Sequence, residues 1–204
     1  QKIRESERKR IVEEYSDRIG MLVMGEVRLL ERAGAVIALP TTEALLPIRD
    51  QLRRDRVKIG DEVLAVIKGV SDNPKGAQVL LSRTSSLFLT ALLEREVPEV
   101  YDGVIAIKGV SRDAGNRSKV AVWSEDEKID PVGSLVGTKG SRIQGVVREL
   151  SQERIDVIQW SADFETYVKR CFQPAQVNEI HKVPTVGRIV IVVGDDDVAL
   201  AFGK

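Results

Sequence analysis

The residues with the clearest capacity for binding chemistry are Gly137-Thr138-Lys139-Gly140. Two glycines separated by two residues allow a tight turn in which the backbone approaches a ligand closely. An amphipathic helix is predicted to begin near Ser141, and the amides at a helix start attract anions such as phosphate. Lys139 would add a positive charge at the tip of the loop. A purely structural turn is the alternative interpretation, because short glycine-flanked loops between helices are common.

The remaining candidates for chemistry carry weaker patterns. Three consecutive aspartates, 195–197, could offer oxygen ligands to a divalent cation, but aspartates are also favoured at a helix start. Trp123 and Trp160 could present stacking faces, although each ends an apolar strand, which favours packing in a core or at its rim. Cys171 lies in an apolar helical stripe and is interpreted as a core thiol. A chain with one cysteine and one histidine has no intrachain disulfide, and we expect no catalytic residue, metal or cofactor.

Composition limits the classes of partner. The 204 residues include 31 basic and 31 acidic side chains, so the formal net charge is zero. A nucleic acid would therefore have to be held by local patches rather than by overall charge. The longest strongly apolar run, 189–193, is far shorter than the roughly 20 residues of a membrane-spanning helix, and the charged first fifteen residues exclude a signal peptide. We expect a cytoplasmic monomer without a membrane partner.

The elements that must position the glycine loop fall into four stretches. Residues 1–18 are predicted to form an exposed connector helix, since charges of both signs alternate there. Residues 19–85 contain five short β-rich runs separated by turns, which favours a small closed barrel. Residues 86–175 alternate helix and strand, and apolar residues at 143, 146, 147 and 150 have the spacing of an amphipathic helix. Residues 176–204 contain two further strands and a helix start. The predicted fold class is therefore multidomain, a β-barrel plus α+β.

Around the loop, the order helix, hairpin, short helix, glycine loop, helix, strand, helix resembles the KH fold, in which such a loop clamps about four nucleotides of a single strand. The sequence is similar to the NusA family of bacterial transcription elongation and termination factors. The similar segments are 130–144 and 153–161 for the first KH domain, 110–122 for its hairpin, 60–63 and 78–84 for the S1 barrel, and 199–204 for the second glycine loop.

This resemblance implies an S1 (OB-like) barrel over 19–85, a first type II KH domain over 86–175 and a partial second KH domain over 176–204. It implies a non-enzymatic protein that binds nascent single-stranded RNA and works with RNA polymerase and other elongation factors in pausing, termination or antitermination. The implied RNA-binding residues form three groups. They are Gly137, Thr138, Lys139, Gly140, Ser141, Arg142 and Ile143 in the loop and its helix, Arg117 and Lys119 on the hairpin, and Gly203 and Lys204 in the second loop.

The sequence also departs from the family pattern. By this resemblance we expect the sequence to lack the polymerase-binding domain that precedes the connector helix in the family, and to end inside the glycine loop of the second KH unit. Asn116 stands where the family usually has histidine. The barrel stretch has no aromatic residue, so base stacking is not expected there. The neutral net charge and the aromatic-poor barrel motivate the alternative that the chain is a protein-docking scaffold with little RNA affinity of its own. A metal-dependent nuclease built on 195–197 is the least favoured hypothesis.

Overall fold

The computed structural model describes residues 2–71 and 78–203. Helix α1 (Lys2–Ser16) opens the chain. Among the side chains that the structure describes in this helix, Ile11 and Tyr15 are buried in the core of the first domain. The Tyr15 hydroxyl lies 2.8 Å from the hydroxyl of Thr41. The otherwise charged helix is thus anchored at its C-terminal end.

Five strands follow and close into a barrel, as the alternating apolar runs predict. They are β1 (Leu22–Glu31), β2 (Gly34–Ala38), β3 (Glu43–Pro47), β4 (Glu62–Val70) and β5 (Val79–Ser82). Around the barrel the order is β1-β2-β3-β5-β4, with β3 and β5 parallel and the other neighbours antiparallel. Alternate residues point inward, so Val27, Ile37, Leu46 and Ile67 are completely buried. The predicted S1-like barrel is confirmed.

The α+β region comprises eight elements. They are α2 (Ser86–Glu96), α3 (Pro98–Tyr101), β6 (Ala106–Asp113), β7 (Arg117–Trp123), α4 (Pro131–Val136), α5 (Ser141–Glu149), β8 (Arg154–Gln159) and α6 (Phe164–Phe172). The sheet order is β6-β7-β8, with β6 antiparallel and β8 parallel to β7. This is the predicted KH-like arrangement. The sequence predicts only that a helix ends before Pro98, whereas in the structure this proline also opens α3, since proline suits a first helical position.

The two faces of this sheet have different coverings. On one face, Val120 and Val122 of β7 are fully buried against α2, α4 and α5, in a core that includes Phe88 and Leu135. Helix α6 lies on the other face, where the ammonium of Lys119, a β7 residue, donates to the carbonyl of Cys171 in α6. Successive strand residues point to opposite faces. We call the first the helix face and the second the α6 face.

Buried polar contacts join the barrel to the α+β region. The Arg83 guanidinium, 7% exposed, donates to Asp55 at 2.6 Å, to the Glu149 carboxylate at 2.8 Å and to the carbonyl of Leu64 at 2.5 Å. Leu64 also belongs to the core of the α+β region. A charge this deeply buried requires several partners, so Arg83 ties the two units at a defined geometry.

A hairpin follows the α+β region. It consists of β9 (Val177–Val183) and β10 (Arg188–Val193), which pair antiparallel, and α7 (Val198–Ala201) follows them. Strand β9 contacts α6, while Ile189 and Val190 of β10 remain about half exposed. Across residues 2–71 and 78–203, no helix is both long enough and apolar enough to span a membrane.

Candidate nucleic-acid interface

The short helix α4 delivers the chain to the glycine loop. It starts with an N-cap, because the Asp130 carboxylate accepts from the amides of Val132 at 3.1 Å and Gly133 at 3.0 Å. A Cβ on Gly133 would lie 2.3 Å from the Asp130 carboxylate oxygen, so a larger residue there would displace the capping carboxylate. Leu135 is fully buried in the core. The helix preceding the loop is therefore fixed at its start and along its buried side.

Three residues of the loop adopt positive φ angles. Gly137 has φ 77° and ψ 169°, Lys139 has φ 52° and ψ 29°, and Gly140 has φ 77° and ψ 14°. A Cβ on Gly137 would lie 2.8 Å from the Cγ atom of Arg142. Glycine at 137 is thus required by both conformation and space, whereas at 140 only the conformation requires it. Lys139 holds a left-handed conformation that is unusual for a lysine.

Beneath the loop, Arg142 acts as a brace. Its guanidinium donates to both carboxylate oxygens of Glu99, at 2.9 and 3.0 Å, and to the Ser134 carbonyl at 2.7 Å. A hydrogen bond from the backbone of Glu99 and then the Arg142 guanidinium hold the pKa of Glu99 below its usual value. Arg142, which sequence analysis expected to bind RNA, is thus hydrogen-bonded within the protein and links α5 to α3 and α4.

The exposed part of the loop is its tip. Thr138 and Lys139 are both exposed, and the loop leads directly into the start of α5. The Ser141 amide, expected to face a phosphate, donates to the Thr138 carbonyl and closes the turn. Ile143, expected as the floor of a base groove, is 8% exposed and supports the loop from the core. The arrangement offers an anion the positive end of a helix and one exposed ammonium.

The hairpin cations lie on the other side of the sheet. Arg117 pairs with Asp156 at 2.7 Å and donates to the Gly203 carbonyl at 3.2 Å. Lys119 is held by the Cys171 carbonyl on the α6 face. These residues line a cavity of about 470 Å³ between the hairpin and the chain end. The structure therefore does not bring Arg117, Lys119 and Gly203 together with the glycine loop, and Lys204 lies outside the described residues.

The barrel has a separate cavity with a basic rim. It measures about 590 Å³ and is lined by Arg32, Arg49 and Lys68 beside apolar residues that include Leu45. Asp50 at its base is buried and accepts from the Lys68 ammonium at 2.8 Å. Burial alone would raise the pKa of Asp50, but the hydrogen bonds from Lys68 and Ser82 and the nearby charges together lower it. This cavity offers positive charge without a stacking ring.

Sequence reasoning missed the buried pair that fixes the hairpin. Glu153 is completely buried and accepts from Arg112 at 2.9 Å, from the Gly115 amide at 2.7 Å and from the Ser118 hydroxyl. Arg112 also donates to the Ser85 carbonyl at 2.6 Å. Arginine and glutamate 41 residues apart carry no local pattern that would predict their contact.

Cys171 and the aspartates at 195–197, the weaker candidates from the sequence, make contacts within the protein. Burial raises the pKa of the Cys171 thiol, which lies half-buried at the rim of the hairpin cavity rather than in the core. The aspartates at 195–197 form a 3-10 turn, and Asp197 accepts from the Gln176 amide at 3.2 Å. Among the described residues, no three histidine, cysteine, aspartate or glutamate side chains are grouped so as to hold a metal ion.

Comparison with known families divides the chain into two consecutive matches. Residues 16–82 match the S1 RNA binding domain, and residues 83–160 match the NusA-like first KH domain. The first match covers the barrel and the second covers the glycine loop with its supporting helices and sheet.

Several curated proteins are similar to this chain over its full length. The transcription termination/antitermination protein NusA of Bacillus subtilis is 40% identical over all of this chain and 55% of that protein. The NusA proteins of Halalkalibacterium halodurans and Thermus thermophilus are each 38% identical over all of this chain and 53% of their own length. The chain thus spans about half the length of the curated relatives it matches.

Proposed function

We propose that this chain, which belongs to the NusA family through its S1 and first KH domains, binds single-stranded RNA without catalysing a reaction. In this proposal it acts within a transcription termination and antitermination factor. The RNA would be nascent transcript, and RNA polymerase and other elongation factors would be the protein partners. The proposed units are a connector helix at 1–18, the S1 barrel at 19–85, the first KH domain at 86–175 and part of a second at 176–204. A monomeric state and a cytoplasmic location stay predictions.

One observation carries the proposal: the glycine loop exposes the Lys139 ammonium while contacts beneath the loop hold its backbone in place. Gly137 is packed against Arg142, and Arg142 is bonded to Glu99 and Ser134. Binding of a phosphate therefore costs little conformational entropy, because the backbone of the loop is already held in one conformation. Lys139 provides charge and the start of α5 provides amide dipoles. Such a site recognises backbone phosphate, and base recognition would fall to the adjacent surface.

The barrel would contribute charge rather than stacking. Its rim cations Arg32, Arg49 and Lys68 could hold the backbone of the same strand. Since the chain has zero net charge, we expect modest affinity that depends on these local contacts.

The salt dependence of binding tests this assignment. Each phosphate contact on a single strand contributes about 0.7 to the slope of log affinity against log salt. Lys139→Gln should lower the slope by about 0.7 and weaken binding of a short labelled RNA. The matched change Lys128→Gln, in an exposed loop of the same domain, should leave the slope unchanged. An unaltered slope in Lys139→Gln would remove the loop from the RNA interface.

A protein-docking role is a second candidate, favoured by one observation on the barrel side. Ile19, Met21 and Met24 are about half exposed, and exposed methionines are adaptable contacts for a protein partner. Binding to RNA polymerase in the absence of RNA, weakened by Met21→Ser with Met24→Ser but unaffected by Lys139→Gln, would support docking. Binding that requires RNA would exclude this role.

A further inference from the structure

Both tryptophans of the chain meet on the α6 face, around one lysine. The rings of Trp123 and Trp160 pack edge to face with centroids 6.3 Å apart, and Tyr167 lies 6.5 Å from Trp160. The Lys108 ammonium lies 4.5 Å from the centre of the Trp123 ring and 5.3 Å from that of Trp160. We call these four residues the tryptophan cluster.

Strands β7 and β8 and helix α6 position the tryptophan cluster at the protein surface. Trp123 ends β7, and the Trp160 amide donates to the Val122 carbonyl at 2.8 Å, which continues the ladder of β8. Arg170 of α6 donates to the carbonyls of Gln159 at 3.1 Å and Trp160 at 3.3 Å. Both indoles are only partly buried and Lys108 is exposed. The cluster is thus the rim of the sheet and is open to solvent.

Aromatic residues are concentrated on this face. The chain has nine phenylalanine, tyrosine and tryptophan residues in total. Three of them lie in the cluster. Phe164 precedes Tyr167 by three residues on α6, and the Lys182 ammonium lies 3.9 Å from the centre of the Phe164 ring. The barrel has none. Rings interleaved with lysines are the composition of surfaces that stack single-stranded nucleic acid.

We infer that the tryptophan cluster is a second binding surface for single-stranded RNA, separate from the glycine loop. A base would stack on the Trp123 face that Lys108 now covers. Base stacking on an aromatic ring is stronger than an exposed cation–π contact, so a base can displace the ammonium. Lys108 would then pair with the adjacent phosphate, so that the displaced cation regains a partner.

This inference goes beyond the proposed function because it concerns the α6 face, whereas the glycine loop projects from the helices on the helix face. The lysine at the centre of the cluster favours RNA as the occupant. A protein partner offering a basic side chain would have to compete with Lys108, whereas RNA uses both the ring and the ammonium.

Intrinsic fluorescence reports on the cluster alone, because the chain has no other tryptophan. An unlabelled single-stranded RNA of mixed sequence should quench the emission, and Trp123→Leu should weaken its binding about tenfold. Lys108→Gln should retain quenching but bind more weakly with a shallower salt slope. Circular dichroism establishes that each variant is folded. Ultraviolet cross-linking should attach the RNA to the segment containing Trp123 or Lys108.

The variant Thr138→Asp with Lys139→Asp separates this site from the loop. Quenching at higher RNA concentration in that variant supports a separate surface. If RNA binds the parent chain, as anisotropy would detect, without quenching or cross-linking at the cluster, the inference is wrong while the proposed function stands. Emission that changes on adding RNA polymerase alone, and not on adding RNA, would assign the surface to a protein and overturn the inference.

Discussion

Replacing Gly137 with alanine tests whether the loop is built as the structure indicates. The new Cβ would lie 2.8 Å from Cγ and 3.1 Å from the amide nitrogen of Arg142. The backbone conformation, φ 77° and ψ 169°, is almost restricted to glycine and costs another residue about 1–3 kcal/mol. Displacing the Arg142 brace, which is partly exposed, adds at most about 1 kcal/mol. We therefore expect Gly137→Ala to lower the free energy of unfolding by about 2–3 kcal/mol.

The matched control is Gly140→Ala in the same loop. Gly140 also has a positive φ of 77°, but a Cβ there would approach no atom closer than 3.8 Å. Its cost should be the left-handed conformation alone, about 1 kcal/mol. Thermal unfolding should therefore show a decrease of about 4–12 °C for Gly137→Ala and about 2–4 °C for Gly140→Ala. Equal decreases, or no decrease for Gly137→Ala, would refute the close packing of Gly137 on Arg142.

Two further predictions concern the same loop. Since the pKa of Glu99 is lowered in the folded chain, its carboxylate stabilises the fold above its usual pKa of 4.5, and this stabilisation is lost as pH falls through the folded value. The melting temperatures of the parent and of Glu99→Gln should therefore differ near pH 6, and the difference should shrink as the pH is lowered below 4.5; a difference that does not change with pH would contradict the ion pair with Arg142. Lys139→Gly relieves a left-handed lysine, so it should raise stability by about 0.5 kcal/mol while weakening RNA binding. A loss of stability in that variant would show that the loop has another conformation.

The elements around the loop could be predicted because their patterns are local. The apolar spacing of α5 needs only a nine-residue window, and the predicted helix matches Ser141–Glu149 closely. The five barrel strands likewise follow from alternation and turn residues, and the structure has five strands in the stretch where five β-rich runs are predicted. The resemblance that located the loop rests on the same kind of contiguous sequence.

The contacts that hold the loop could not be predicted, because their partners are distant in the chain. Arg142 looks available to RNA in the sequence, yet its guanidinium binds Glu99, 43 residues earlier. Arg117 and Lys119 look equally available, but β8 supplies Asp156 to the first and α6 supplies a carbonyl to the second. Which cations remain free therefore depends on the order of strands and on the face that α6 covers.

The tryptophan cluster illustrates the same limit. Trp123 and Trp160 each end a strand, which sequence alone indicates as core or rim packing. Their contact with one another and with Lys108 requires that β6 and β8 flank β7 in one sheet. Periodicity predicts the strands but not their neighbours.

The most direct test of RNA binding at the glycine loop is a comparison of two double variants by fluorescence anisotropy. Thr138→Asp with Lys139→Asp reverses the charge of the exposed tip. Thr185→Asp with Arg188→Asp makes the same charge change at two exposed positions, one in the turn after β9 and one at the start of β10. With a short labelled single-stranded RNA, the loop variant should bind at least about tenfold more weakly than the parent chain, a difference of about 1.4 kcal/mol. The turn variant should bind nearly as the parent does. Equal affinity of the two variants would contradict the assignment of RNA to the loop.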